Sequence, residues 1–320
     1  MGGAESLVVP DTICIAAKCQ EDGKPRIVLC SDGRLTLEGV ARWDGVRKAY
    51  PIGREWCAMF SGDSAKAKEL IDRYVRHLTS TDAPLDRYPI LDRLRKPIAE
   101  QRRADIDRLV QSEIGMSFEK FLSLKESFPP QFREDLLSRI ISSASYVHLI
   151  IAGWIGSIGE YVPRIYSSFD DGSLIEQEAV TAIGCGWVAA LASLNRRKYS
   201  RDLDLHEAVY YVYEAKRASE GIDGVGPETN IIVLSPIESS DVCPMRSIGT
   251  DGLRILKKHE AKFGIRPFRK TASLELLPFA EANQEWRGKN YLSDPTKSPS
   301  IASGIAATPT DEPHNHRVQK

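Results

Sequence analysis

The chain has 320 residues, 42% hydrophobic and 27% charged, an ordinary composition for a globular protein that buries a sizeable core. Lys plus Arg number 43 against 44 Asp plus Glu, a formal net charge of -1, so neither nucleic acid nor an anionic membrane is the expected partner. The N-terminus MGGAESLVVPD has no basic segment before a long apolar one, and the longest apolar run, YVHLIIAGWIG from Tyr146, is too short for a bilayer span; the reading is a soluble, cytoplasmic protein.

In chain order, TICIAAKC and PRIVLCSD are two strand-length runs joined by QEDGK, whose Asp22-Gly23 pair signals a hairpin. RKAYPI and WCAMFSG are further strand candidates, split by Gly53. From Asp63, a candidate N-cap, apolar residues fall three or four apart: Ala67, Leu70, Ile71, Tyr74, Val75 and Leu78. Residues 79–145 keep helical spacing within a highly charged stretch broken at Pro129-Pro130, and they read as a folded helical insertion. VHLIIAGW, VPRIYSSF and, after the turn DDGS, LIEQEAVTAI return to strand.

Two helices follow, GWVAALASLNRRK and LHEAVYYVYEAKRASE, the second with Asp204 as N-cap and Glu207 completing a capping box. TNIIVLSP ends the regular part, and beyond about residue 288 a tail rich in Ser, Pro, Thr and Asn reads as disordered. Hairpin-joined strands and grouped helices predict an α+β fold, two antiparallel sheets packed together between helix layers. The expected division is 1–11 as a leader, 12–248 as the main domain with its 79–145 insertion, 249–287 as an extension and 288–320 as the tail.

Short motifs give little by themselves. The six cysteines, Cys14, Cys19, Cys30, Cys57, Cys185 and Cys243, lack CxxC spacing and read as reduced, buried thiols. The six histidines form no metal pattern, HNH at His314 to His316 included, and His148 and His206 read as structural. Neither FSGDS nor GSIG makes the Gly-x-Ser-x-Gly elbow of a serine hydrolase. AIGCGWVA matches a Gly-x-Gly-x-x-Ala phosphate fingerprint, but it follows a hairpin strand and no second strand with an acidic residue comes after its helix; a tight strand-to-helix turn explains Gly184 and Gly186 better.

A wider constellation carries more. Thr12 opens the first strand, Asp32 follows the second in CSDGRLT, Lys48 stands in VRKAYPI, and Gly62 ends the fourth strand in FSGD. Together they resemble the proteasome β-subunits and the related bacterial protease core, members of the N-terminal nucleophile (Ntn) hydrolases. The resemblance covers Thr12 to about Leu78, and about His148 to Pro236 with GCGW and GPETNIIVLSP. The intervals from Asp32 to Lys48 and from Lys48 to Gly62 equal the family's; that from Thr12 to Asp32 is longer, which a longer first hairpin absorbs.

The resemblance implies a four-layer α-β-β-α sandwich and a threonine peptidase without metal or organic cofactor. Thr12 is then the nucleophile, its α-amine the base once residues 1–11 are removed, Lys48 the cation that keeps that amine neutral, Asp32 its orienter and Gly62 the oxyanion donor. Thr36 matches the position that pairs with a bound peptide, and Leu35, Val46 and Phe60 match walls of an apolar specificity pocket, implying cleavage after hydrophobic residues. Cys185 in GCG stands where the family has a serine, and in DGVG Asp223 matches while Gly226 replaces a second serine. Asp11, not glycine, precedes Thr12. Implied partners are a peptide or unfolded protein substrate, further copies in a homo-oligomeric ring, and a regulatory ATPase. Two alternatives stand beside this reading: a noncatalytic ring or assembly protein that keeps its leader, and a nucleotide-binding protein using the Gly184-Gly186 turn.

Overall fold

Asp22 and Gly23 both take positive φ, 53° and 74°, the pair that lets a two-residue turn match the twist of its strands. They join β1 (Cys14–Glu21) to β2 (Lys24–Ser31) in unbroken antiparallel register from Cys14↔Ser31 to Glu21↔Lys24. This is a computed structural model, and it describes residues 12–37, 41–43, 45, 48–53, 55–79, 87–142, 147–156, 160–168, 173–237, 244–263 and 279–281. All belong to the first of two compact units, Met1–Lys289; the second, Asn290–Lys320, and the expected leader and tail lie outside the described residues.

The chain continues through β3 (Leu35–Leu37), β4 (Ala41–Trp43), β5 (Ala49–Pro51) and β6 (Trp56–Gly62). Asp63 caps α1 (Ser64–Thr79) as expected, its Oδ1 accepting from Ala65 N at 2.8 Å and Lys66 N at 3.1 Å. The insertion is helical: α2 (Arg87–Ile114), α3 (Phe118–Leu124), a short turn over Lys125–Ser127 and α4 (Pro130–Ser142). Pro130 opens α4, where its missing N–H leaves no bond unmade. Val110, Phe121 and Leu136 give the insertion a small core of its own, and α2 docks on α1 through Tyr74 Oη donating to Leu94 O at 2.8 Å.

Next come β7 (Val147–Ile155), β8 (Val162–Ser168), β9 (Leu174–Gln177) and β10 (Val180–Ile183). LIEQEAVTAI, expected as one returning strand, is two: the chain bends at Glu178 and Ala179, leaving β9 on β8 and β10 on β1 in different sheets. Lys18 N donates to Ala179 O at 2.8 Å and holds the crossing point against the first sheet. After α5 (Trp187–Arg196) and α6 (Leu205–Ser219), β11 (Asn230–Leu234) does not end the regular part. β12 (Met245–Ile248), α7 (Thr250–Phe263) and β13 (Phe279–Glu281) follow, and the two strands cover the edge that β11 would otherwise expose. Residues 249–263 and 279–281 of the expected extension therefore build onto the main sheet and its helices. The capping box is half made: Asp204 accepts from His206 N, while Glu207 takes the Tyr211 hydroxyl at 2.7 Å.

The result is mixed α+β with a six-stranded sheet, β10-β1-β2-β11-β12-β13, a five-stranded sheet, β5-β6-β7-β8-β9, and the small pair β3-β4, all antiparallel. Period-two alternation along β1 splits its side chains between two cores. Ile13, Ile15, Ala17 and Cys19 pack with α5 and α6, while Cys14 and Ala16 meet Met59, Ile150 and Ala152 of the other sheet. A third cluster places Phe60, Leu149 and Ile151 of the second sheet beneath Leu70, Tyr74 and Leu94 of α1 and α2. Helix, sheet, sheet and helix thus stack in that order. No helix among the described residues is long and apolar enough to cross a membrane.

Candidate functional site

Thr12 stands two residues before β1, and β2 ends at Ser31 opposite Cys14, so continuing the hairpin register sets Asp32 opposite Ile13, the neighbour of Thr12. Asp32 N donates to Ile13 O at 3.2 Å and Ile13 N returns a bond to Asp32 Oδ1 at 3.2 Å, which extends the ladder one step with a side chain. Lys48 comes from the other sheet, one residue ahead of β5. Cys14 Sγ donates to Phe60 O at 3.3 Å and links the two sheets next to this point.

Asp32 is the hub. Its Oδ1 accepts from Thr12 Oγ1 at 2.5 Å, Lys48 Nζ at 2.6 Å and Ile13 N, and its Oδ2 accepts from Gly226 N at 2.8 Å. Lys48 Nζ also donates directly to Thr12 Oγ1, closing a triangle of hydroxyl, carboxylate and ammonium. Thr12, Asp32 and Lys48 are 2%, 0% and 3% exposed, so the ion pair is out of water and every polar atom needs a protein partner. The Thr12 hydroxyl has an acceptor for its proton on one side and a positive charge for its oxygen on the other.

The GCG turn closes the site from behind. Gly184 has φ +96°, and a Cβ there would lie 2.3 Å from Thr12 O. Cys185 Sγ and Gly186 N both donate to that same carbonyl, at 3.3 and 3.4 Å. A Cβ on Gly186 would meet Ser219 Cβ at 2.8 Å, and Ser219 Oγ donates to Gly186 O at 3.0 Å. Both glycines are thus accounted for by close approach to Thr12 and to α6.

Lys216 was missed by sequence reasoning. It is 0% exposed and donates to Gly226 O at 2.8 Å and Glu220 Oε1 at 2.5 Å, holding the residue whose own N–H bonds Asp32. The signal was present: Lys216 falls four residues after Val212 and seven after Val209, on the apolar stripe of α6.

The other expected site residues are placed less centrally. Gly62 ends β6 opposite Val147 with φ +104°, a conformation that favours glycine. Asp223 lies on an exposed turn and accepts from Gly224 N at 3.0 Å; Gly226, three residues on, makes the contact to Asp32. Leu35 and Thr36 sit on β3, paired with Trp43 and Arg42. Phe60 is buried with the α1 core, its ring 5.9 Å from that of Tyr50. Val46 and Asp11 lie outside the described residues.

Cys14, Cys19, Cys30 and Cys57 are buried, while Cys185 is half-buried; Cys243 lies outside the described residues. Burial pushes the Cys14 and Cys19 thiols far above their ordinary range and Cys30 up to about 12, so these three are inert at neutral pH. His148 faces Ser61 across β6 and β7, and His206 lies in the first turn of α6 with Nδ1 3.3 Å from Asp204 Oδ1. HNH lies outside the described residues, among which no cluster of three or more His, Cys, Asp or Glu has the arrangement to hold a metal ion. No protein-family model matches the chain, and no curated protein matches it in sequence.

Proposed function

We propose that the chain is a proteasome-like threonine peptidase of the Ntn hydrolase type, activated by cutting before Thr12. The observation that carries the proposal is the buried contact of Thr12, Asp32 and Lys48, residues 20 and 16 positions apart in sequence. In the uncut chain Thr12 Oγ1 attacks the Asp11 carbonyl carbon. The new C–O bond forms as the Asp11–Thr12 C–N bond breaks, and the hydroxyl proton ends on the Thr12 nitrogen. Water hydrolyses the ester, leaving the Asp11 carboxylate and a free Thr12 amine.

That amine is the base of the second reaction. An α-amine has an ordinary pKa of about 7.7 to 8.0, near enough to neutral to take a proton from Oγ1, and the Lys48 ammonium beside it favours its neutral form. Oγ1 then attacks a peptide carbonyl, the Gly62 N–H stabilises the oxyanion, the amine half leaves with the proton, and water releases the acyl half. The Cys185 and Gly186 donors on Thr12 O hold the nucleophile's backbone still. An apolar pocket formed by Leu35, Val46 and Phe60 would favour cleavage after hydrophobic residues, with Thr36 pairing to the peptide backbone. A homo-oligomeric ring and a regulatory ATPase belong to the same proposal.

One observation favours a second reading, a noncatalytic assembly protein that keeps its leader. Thr12 is 2% exposed, which closes its hydroxyl to any external peptide. Intact mass of the purified full chain, with hydrolysis of a peptide carrying a hydrophobic residue at the cleaved bond, separates the two. The peptidase reading expects a chain beginning at Thr12 and active hydrolysis, and a Thr12→Ala variant that stays uncut and inactive. A wild-type chain that stays full-length and hydrolytically silent overturns it in favour of the second reading.

A further inference from the structure

Strand β1 carries a second polar feature at its other end, six residues and about 20 Å from Thr12 at the usual rise per residue. Cys14 and Ala16 fill the layer between the sheets, and by alternation Lys18 continues that face. Lys18 is 7% exposed. A cavity of about 290 Å³ opens here, with Lys18, Gln20, Pro25, Arg164, Arg201 and Asp202 in its wall. Its volume stands at the lower end of the range for small-molecule sites.

The wall holds three cations against one carboxylate. Asp202 is already engaged, accepting from Gln20 Nε2 at 3.2 Å and Ser200 Oγ at 3.5 Å. Glu176 pairs with Arg164 Nη1, and Glu178 lies 4.0 Å from Arg201 Nη1, but neither carboxylate lines the cavity. Arg164 Nε is buried with no hydrogen-bond partner among the described residues. Lys18 makes no ion pair among the described residues. Its ammonium is held below the ordinary lysine pKa by burial, which outweighs the opposing pull of Glu176. Glu176 and Glu178 act on it only at a distance, and a buried ammonium without a direct ion pair is unfavourable unless something brings it acceptors.

We propose that this cavity binds a small multivalent oxyanion, a phosphate or polycarboxylate group, held by Lys18 and Arg164 with Arg201 at its mouth. The anion supplies the countercharge that Lys18 lacks, and charge-assisted bonds to an ammonium and guanidinium groups are the strong kind. Pro25 and Pro163, both in the wall, limit backbone movement around it. The site does not depend on the chemistry at Thr12, so its test stands apart from the peptidase reading.

The test is calorimetric titration of the full chain with sodium phosphate and, separately, sodium citrate, at ionic strength held constant with sodium chloride. Saturable one-to-one binding of phosphate or of citrate is expected, and which of them binds identifies the source of the oxyanion. Lys18→Met and Arg201→Gln should each weaken that binding about tenfold, the loss of one charge-assisted bond. Arg201 has a 59% exposed side chain, so Arg201→Gln keeps the fold and decides the matter even if Lys18→Met does not fold. No saturable binding of either anion, or unchanged affinity in Arg201→Gln, overturns the proposal.

Discussion

At the Thr12 end of β1, Lys48 and Asp32 are both withdrawn from water and stand 2.6 Å apart, whereas at the far end Lys18 is withdrawn without a carboxylate partner among the described residues. One end is closed on itself: each charge is balanced, and the hydroxyl, the Ile13 amide and the Gly226 amide all converge on a single carboxylate. The other end is left open, with a cavity where the countercharge would be. The difference teaches that two lysines of nearly equal burial stand in opposite surroundings, and that what burial costs each depends on the partner it meets.

Replacing the two lysines in turn is the most direct way to break that comparison, and the largest effect belongs to Lys48. Lys48→Met leaves Asp32 buried and uncompensated, so it should lower unfolding free energy by about 3 to 5 kcal/mol in urea titrations and abolish cutting before Thr12. Gly184→Ala comes next. Its new Cβ would lie 2.3 Å from Thr12 O at φ +96°, and a loss of about 1 to 3 kcal/mol should appear together with slower cutting, read by intact mass.

The far end also holds a paired charge, Glu21, which sharpens the contrast with Lys18. Burial pushes the Glu21 carboxyl up, but hydrogen bonds from Arg246 and Arg26, each 2.8 Å, hold it below its ordinary value of 4.5. A depressed carboxylate stabilises the fold above its unfolded pKa and loses that contribution as pH falls through the folded one. Glu21→Gln should therefore cost about 1 kcal/mol at neutral pH, and its gap from wild type should narrow on acidification below 4.5.

Lys18→Met is the smallest change and has the opposite sign to Lys48→Met. With the folded pKa lowered from 10.5, the unfolded chain binds the proton more tightly, so wild-type stability rises as pH climbs from the folded value to 10.5. In anion-free buffer at neutral pH the variant should equal or exceed wild type by less than about 1 kcal/mol. That margin should shrink toward pH 10.5 in thermal unfolding.

Much of the framework was legible because local signals agree with the fold. Asp22-Gly23 named its own turn, Asp63 its own cap, and the spacing of Ala67, Leu70, Ile71 and Tyr74 its buried face. The meeting of Thr12, Asp32 and Lys48 was named only by resemblance: hairpin register sets Asp32 opposite Ile13, one residue from Thr12, and no local rule brings a second sheet to that point. What was illegible depends on partners distant in sequence. LIEQ and AVTAI read as one strand because nothing local shows that β8 and β1 lie in different sheets. Glu207 left its capping role for Tyr211, and β12 and β13 formed because β11 offered an edge. Asp223 was named by resemblance, yet the contact to Asp32 comes from the backbone amide of Gly226, which no side-chain pattern records.

The central claim is that Thr12 Oγ is the attacking atom, and the most direct measurement maps a covalent adduct. The purified chain is incubated with a peptide vinyl sulfone bearing a hydrophobic residue beside the electrophile, then digested and sequenced by tandem mass spectrometry. One adduct on an N-terminal Thr12, absent from Lys48→Met, is the predicted result; an unmodified protein, or modification at Cys185 with Thr12 untouched, contradicts it.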